Sequence, residues 1–202
     1  MARFSGLLCL LLVLGSSPAY AHAPIPGIKG FYVGLLHPFS TPSQALALLG
    51  LGLLLGQFTA EKVRWQLGSF LICCLFAVIL GTAELAVDNA LFAVALGACT
   101  LAALLPGKAF VLALTLSGAG GLLIGCASIP DAGPAVDRVI TMAGSTVGAN
   151  LGLLYIWGAS HFLQNRFTAP WVNIGFRVAA AWVGAVSLLM LALGYASSTQ
   201  MT

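Results

Sequence analysis

Charge is what this chain has least of. Eight Lys or Arg and five Asp or Glu are all that 202 residues carry, 6% of the chain. Soluble domains run near a quarter charged residues, so a water-exposed globular surface is excluded. The eight cations are scattered singly and the formal net charge is only +3; no basic patch is left to hold nucleic acid or a strongly anionic partner. Histidine occurs three times and cysteine five times. The cysteines form no C-x-x-C pair, which removes a dithiol redox centre and the common zinc frameworks. Cys73, Cys74, Cys99 and Cys126 lie inside apolar runs, where thiols act as small hydrophobes. There is no internal repeat, no nucleophile beside a base, and no glycine loop leading into Lys-Ser or Lys-Thr. Catalysis is not expected.

Apolar residues fill the space. They make up 60% of the chain, and the mean hydropathy is +1.04. That is an integral membrane protein, all-α, with no room for a sizeable soluble domain. Residues 1–21, MARFSGLLCLLLVLGSSPAYA, read as a signal peptide: Arg3, an apolar core over 7–14, and Ala19 and Ala21 flanking Tyr20 as an A-x-A site. An uncleaved anchor helix is the alternative. Cleavage after Ala21 makes His22 the mature N-terminus. Its amine and imidazole together are a candidate chelate for copper or nickel, the other reading being a free, solvated histidine.

Residues 22–202 read as one six-helix transmembrane domain. Spans of roughly 20 apolar residues are expected near 42–58, 62–83, 87–105, 108–127, 134–163 and 171–196, bounded by Pro106-Gly107, Pro130 to Pro134, and Pro170. With a translocated N-terminus, the inner loops and their flanks hold Lys62, Arg64, Lys108, Arg166 and Arg177. The outer side keeps Lys29 and Arg138 with Glu84, Asp88, Asp131 and Asp137. This charge balance orients both mature termini to the periplasm of a bacterial inner membrane.

One stretch departs from plain apolar helix. Between Gly30 and Gln57, an apolar run is broken by HPFSTPSQ at 37–44. Thr41-Pro42-Ser43-Gln44 predicts a helix start, with Thr41 as N-cap, Pro42 in the first position and Gln44 closing a capping box. Residues 30–37 are then a short half-helix or re-entrant segment, kept from joining smoothly by Pro38. The N-terminus of the second helix carries partial positive charge and suits a carboxylate, hydroxyl or carbonyl better than a bare cation. His37 sits at the break, either as a solute ligand or as a hydrogen-bonded plug for freed backbone groups. Elsewhere, Gly144, Gly148 and Gly152 form a small-x-x-x-small ladder, and Gly121 with Gly125 a shorter one, suited to close helix packing inside the bundle or to a dimer seam. Asn150 beside the ladder predicts an interhelical hydrogen bond. His161 falls near a helix C-terminus, and Glu84 with Asp88, at i, i+4 spacing, are expected in a solvated polar turn, the alternative being a pair that attracts a cation.

The order of signal peptide, early histidine, F-x-x-G-x-x-H-P at Phe31 to Pro38, turn, and Leu/Ala/Gly-rich helix resembles the HupE/UreJ family of six-span membrane proteins. The resemblance implies that fold and a nickel or cobalt permease. The family's first motif, H-P-x-x-G-x-D-H, is met by His37 and Pro38, while Thr41, Ser43 and Gln44 stand at its glycine, aspartate and second histidine. Its second motif, H-G-x-x-H-G-x-E, falls on Ser117 to Ile124 and keeps the glycine at Gly118. A third family histidine falls near Gly152. The resemblance therefore implies a solute or metal site at His37, Ser43 and Gln44, with Thr41, Ser117 and Asn150 lining a pathway. Nickel or cobalt would be cargo, with no resident cofactor. The rival expectation is a non-transporting accessory subunit of a larger membrane complex, or a homo-oligomer, that keeps the fold after losing the ligands.

Overall fold

The structure, a computed structural model, describes residues 30–81, 87–130, 134–167 and 169–199. The signal segment, His22, Glu84 and Asp131 lie outside the described residues. Within them the chain is helical without strands: α1 (Phe31–Ser40), α2 (Pro42–Leu55), α3 (Ala60–Leu80), α4 (Asp88–Leu104), α5 (Phe110–Ala127), α6 (Ala135–Arg166) and α7 (Pro170–Thr199). Four helices, α3, α5, α6 and most of α7, are long and apolar enough to cross a membrane. A fifth crossing results if α1 and α2, bent by 73° at Thr41, count as one span, and α4 is a shorter apolar helix of 17 residues. The outer surface suits lipid, since Ile79, Trp182 and Val111 are 74%, 73% and 68% exposed. This is a membrane protein.

Cross-helix contacts fix the direction of each helix. Ser43 meets Asp88 and Gln57 meets Ala102, both 45 positions on, so α2 and α4 run parallel. Gly121 packs on Phe70 and Gly125 on Cys74, so α3 and α5 run parallel as well. Gly97 against Leu116 and Gly120 against Val94 set α4 antiparallel to α5. Arg177 reaches Ala103 while Gly194 abuts Asn89, which sets α7 antiparallel to α4. α6 runs with α1, α2 and α4.

Glycine makes these approaches possible. A Cβ on Gly144 or Gly148 would run into the carbonyl oxygens of Phe31 and Leu35, and one on Gly34 into that of Thr141. The α6 ladder thus holds α1 backbone to backbone. Below it, Gly52 and Gly56 lie on Ile156 and Ser160. Gly107, at φ 69, turns the chain between α4 and α5 in the left-handed region that glycine adopts without strain, and its Cα faces the Gln57 carbonyl.

α1 departs from the expected half-helix. It continues through Pro38 to Ser40 rather than stopping at His37. Proline removes only the N–H aimed at the Gly34 carbonyl, and the last turn is closed on the His37 carbonyl by the Thr41 N–H at 3.2 Å and the Ser40 hydroxyl at 3.0 Å. The break therefore falls three residues later than proline alone suggests.

The core between α2, α3, α4 and α5 is built on Leu48, Leu51, Leu54, Phe70, Leu91 and Ile124. Within this bundle Gln66 is fully buried with neither amide atom partnered. A buried unpaired amide costs about 1–3 kcal/mol. Gln66→Leu is accordingly expected to raise the thermal midpoint in detergent by several degrees; an unchanged or lowered midpoint would mean that Gln66 has a partner, such as a bound water.

Candidate functional site

The site is built by the break. Thr41 leaves the helical region, at φ −96 and ψ 115, and Pro42 opens α2 as its first residue. The predicted N-cap position is therefore occupied as expected, but the capping box is not made: no side chain caps α2. Gln44 turns the other way, because the bend brings the imidazole of His37 over the first turn of α2. Its Nε2 lies 3.3 Å from His37 Nε2. An amide nitrogen has no lone pair to offer, so here the imidazole accepts.

The neighbouring residue reaches to another helix. Ser43 donates its hydroxyl to the Asp88 carboxylate, 2.5 Å away across the α2–α4 contact. Asp88 is thus not merely part of a solvated turn, as its sequence surroundings suggest; it is exposed on one side and held by Ser43 on the other. Ser43 and Gln44 are 2% and 1% exposed. The Gln44 Oε1 is buried with no partner. Two polar pairs therefore lie at the first turn of α2, His37 with Gln44 and Ser43 with Asp88, and the Gln44 amide oxygen is left without a partner.

Two other expected members lie elsewhere. Ser117 donates to the Ala113 carbonyl of its own helix at 2.8 Å. Asn150 donates to Thr146 at 2.8 Å, again within its own helix rather than across to a neighbour. Both make the i−4 back-bond that short polar side chains find in helices, and neither donates toward His37. Gly152 receives the Phe39 ring, 2.6 Å from where its Cβ would be. His161 stacks on Trp157, with ring centroids 5.6 Å apart, and pairs with Asn165 at 2.9 Å.

A second polar region lies at the far end of α2, and sequence reasoning missed it. Gln57, Gln164, Asn173 and Arg177 line a cavity of about 310 Å³. Gln57 Nε2 donates to Ala102 at 2.9 Å, Gln164 to Gly56 at 3.0 Å, and Arg177 Nε to Ala103 at 2.7 Å. These side chains tie off carbonyls at the ends of α2 and α4, which explains why amides gather there. The signal available in sequence was Gln57 alone, a polar residue directly after Gly56.

A family model described as HupE / UreJ protein matches residues 10–190. The chain belongs to the HupE/UreJ family. No curated protein and no solved structure matches it. In this HupE/UreJ protein the bent pair of helices carries His37 and Gln44, whose side chains meet at the break. The segment aligned with the second motif serves packing instead: Gly118 faces the Ser69 hydroxyl 2.9 Å from its Cβ position, Gly120 faces Leu51 at 2.6 Å, and Gly121 abuts Phe70. Among the described residues no three His, Cys, Asp or Glu side chains gather as a metal cage. Ser43 itself holds a carboxylate, that of Asp88.

Proposed function

We propose that this protein is a six-span permease of the bacterial inner membrane, with both mature termini periplasmic, carrying a divalent cation of the nickel or cobalt kind or another small solute along α2. Six crossings follow if the bent pair is one span and the 17 residues of α4, at the low end of spanning length, are another. The alternating helix directions support that count. So does the charge bias of the loops, with Lys62, Arg64 and Lys108 toward one end.

One observation carries the reading: the helix break sets an imidazole against a buried amide whose oxygen has no partner, beside a serine that holds a carboxylate from α4. Helix breaks in membranes occur where backbone and side chains line a path. Borderline divalent metals accept imidazole nitrogen with oxygen donors. With so few protein ligands the ion would keep much of its water, and weak binding is what release on the far side requires. The inner amide cluster at Gln57 and Gln164 is the exit on this reading. His37→Ala is expected to reduce whole-cell uptake of radiolabelled nickel or cobalt to near the level of cells without the protein. Equal uptake in all three strains would remove the metal reading.

The absence of a three-ligand group among the described residues favours a second reading, an accessory subunit of a larger membrane complex. A stoichiometric partner retained on purification in mild detergent would identify it. The His22 chelate remains a separate proposal for copper or nickel, and its precondition is a mature chain that begins at His22.

A further inference from the structure

A wide groove lies far from the helix break, between the parallel helices α3 and α5. The two helices touch closely along their later turns, where Gly121 and Gly125 meet Phe70 and Cys74. Toward their N-termini they part. At Gly68 nothing stands within 4 Å of a Cβ position, and the space between the helices opens to about 1100 Å³. Its floor is apolar, with Gly68, Ile72 and Leu114 among the lining residues; its rim holds Lys62 and Arg64 with one opposing charge, Glu61.

Three features of that rim favour a negative group. Both helices start there, and their aligned peptide dipoles leave partial positive charge at each start. Neither start is capped by a side chain, at Thr59 or at Ala109; in α3 the Lys62 N–H is taken by the Thr59 carbonyl, which leaves the N–H groups before it. Lys62 and Arg64 add two full charges. Arg64 also lies over the ring of Trp65, 5.4 Å from its centroid, and Trp65 is 62% exposed. A tryptophan in that position marks the level of lipid headgroups. Apolar floor, cationic rim and headgroup depth together match one molecule: a lipid with a phosphate at one end and acyl chains at the other.

We propose that the α3–α5 groove binds an anionic phospholipid, its headgroup phosphate held by Lys62 and Arg64 of α3, near the starts of both helices, and an acyl chain lying over Gly68 between Ile72 and Leu114. Glu61 sets the selectivity: it repels a second negative charge but leaves a monoanionic headgroup with net attraction. Basic pockets between helices at the membrane surface bind such headgroups.

The test is native mass spectrometry of the full protein purified from membranes, exposed to equal amounts of phosphatidylglycerol and phosphatidylcholine with identical chains. The wild type is expected to retain one phosphatidylglycerol with a preference of about tenfold or more, the order that two cations near a surface supply. The Lys62→Ala/Arg64→Ala double variant should retain both lipids equally. Gly68→Phe, placed in open space and so compatible with the fold, should retain neither while its circular dichroism is unchanged. Equal retention by the wild type, a preference surviving in the double variant, or wild-type retention by a folded Gly68→Phe would each overturn the assignment. Should Gly68→Phe lose its helical signal, the double variant decides alone.

Discussion

Gly148→Val is expected to lose the folded bundle at temperatures where the wild type is intact. The Cβ that valine adds would run into the Leu35 carbonyl oxygen, with the carbonyl carbon 3.0 Å and the Cα 3.1 Å away. Unstrained carbon contacts fall near 3.5–4.0 Å. All three neighbours are backbone, so no side chain can swing aside. Nor can α1 retreat alone, because Gly144 and Gly34 pin the same two helices in the preceding turn. Overpacking typically costs about 1–3 kcal/mol and occasionally more. Here the whole of α1 must separate from α6, which points to the upper end, a fall of about 6–12 °C for a chain of this size. Gly158→Ala and Gly175→Ala, where nothing stands within 4 Å, should leave the midpoint unchanged or slightly raised. A Gly148→Val midpoint within about 2 °C of the wild type would show that α1 and α6 are not in backbone contact.

Asp88→Asn is expected to lower nickel or cobalt uptake by about tenfold or more while leaving the fold intact. The two side chains have the same shape, and the amide oxygen can still accept from Ser43, so the α2–α4 contact of 2.5 Å survives in kind. What disappears is the negative charge that Ser43 holds beside the first turn of α2. A unit charge about 4 Å from another is worth about 4 kcal/mol per charge at an effective dielectric of about 20; exposure of Asp88 reduces this, and about 1.4 kcal/mol already gives a factor of ten. Ser43→Ala makes the contrast, since it removes the positioning hydroxyl but keeps the carboxylate, and should cost less. Uptake by Asp88→Asn equal to wild type, with normal expression, would confine Asp88 to holding α4 against α2.

Local chemistry was legible in the sequence, and pairing at a distance was not. Thr41-Pro42 announced a helix start because N-cap and first-position preferences depend on adjacent residues. Pro106-Gly107 and Pro130 bounded helices for the same reason, and the expected spans at 62–83 and 108–127 correspond to Ala60–Leu80 and Phe110–Ala127. The end of α1 was misplaced because Pro38 forbids one hydrogen bond but not the turn after it, and Ser40 closes that turn. Gln44 fits a capping box by spacing; the 73° bend offers it an imidazole instead. Asp88 could not be assigned from its neighbours. Its partner is 45 positions back, and only the parallel packing of α2 on α4 brings them together. Gln57, Gln164 and Arg177 were hidden in the same way, each reaching a carbonyl of another segment.

The two helices of the bent pair share one support. Phe31 and Leu35 lie against Gly144 and Gly148, each 113 positions on, whereas Gly52 and Gly56 lie against Ile156 and Ser160, each 104 positions on. The nine-residue difference is chain that runs sideways; Phe39 and Leu48 both touch Gly152 from either side of it. α6 therefore works as a rail on which both helices are clamped, α1 by its carbonyls against glycines of α6 and α2 by its glycines against side chains of α6, and neither can slide like a piston without a clash. Any opening at His37 must instead be a lateral swing about Thr41, the one joint that the rail leaves unclamped.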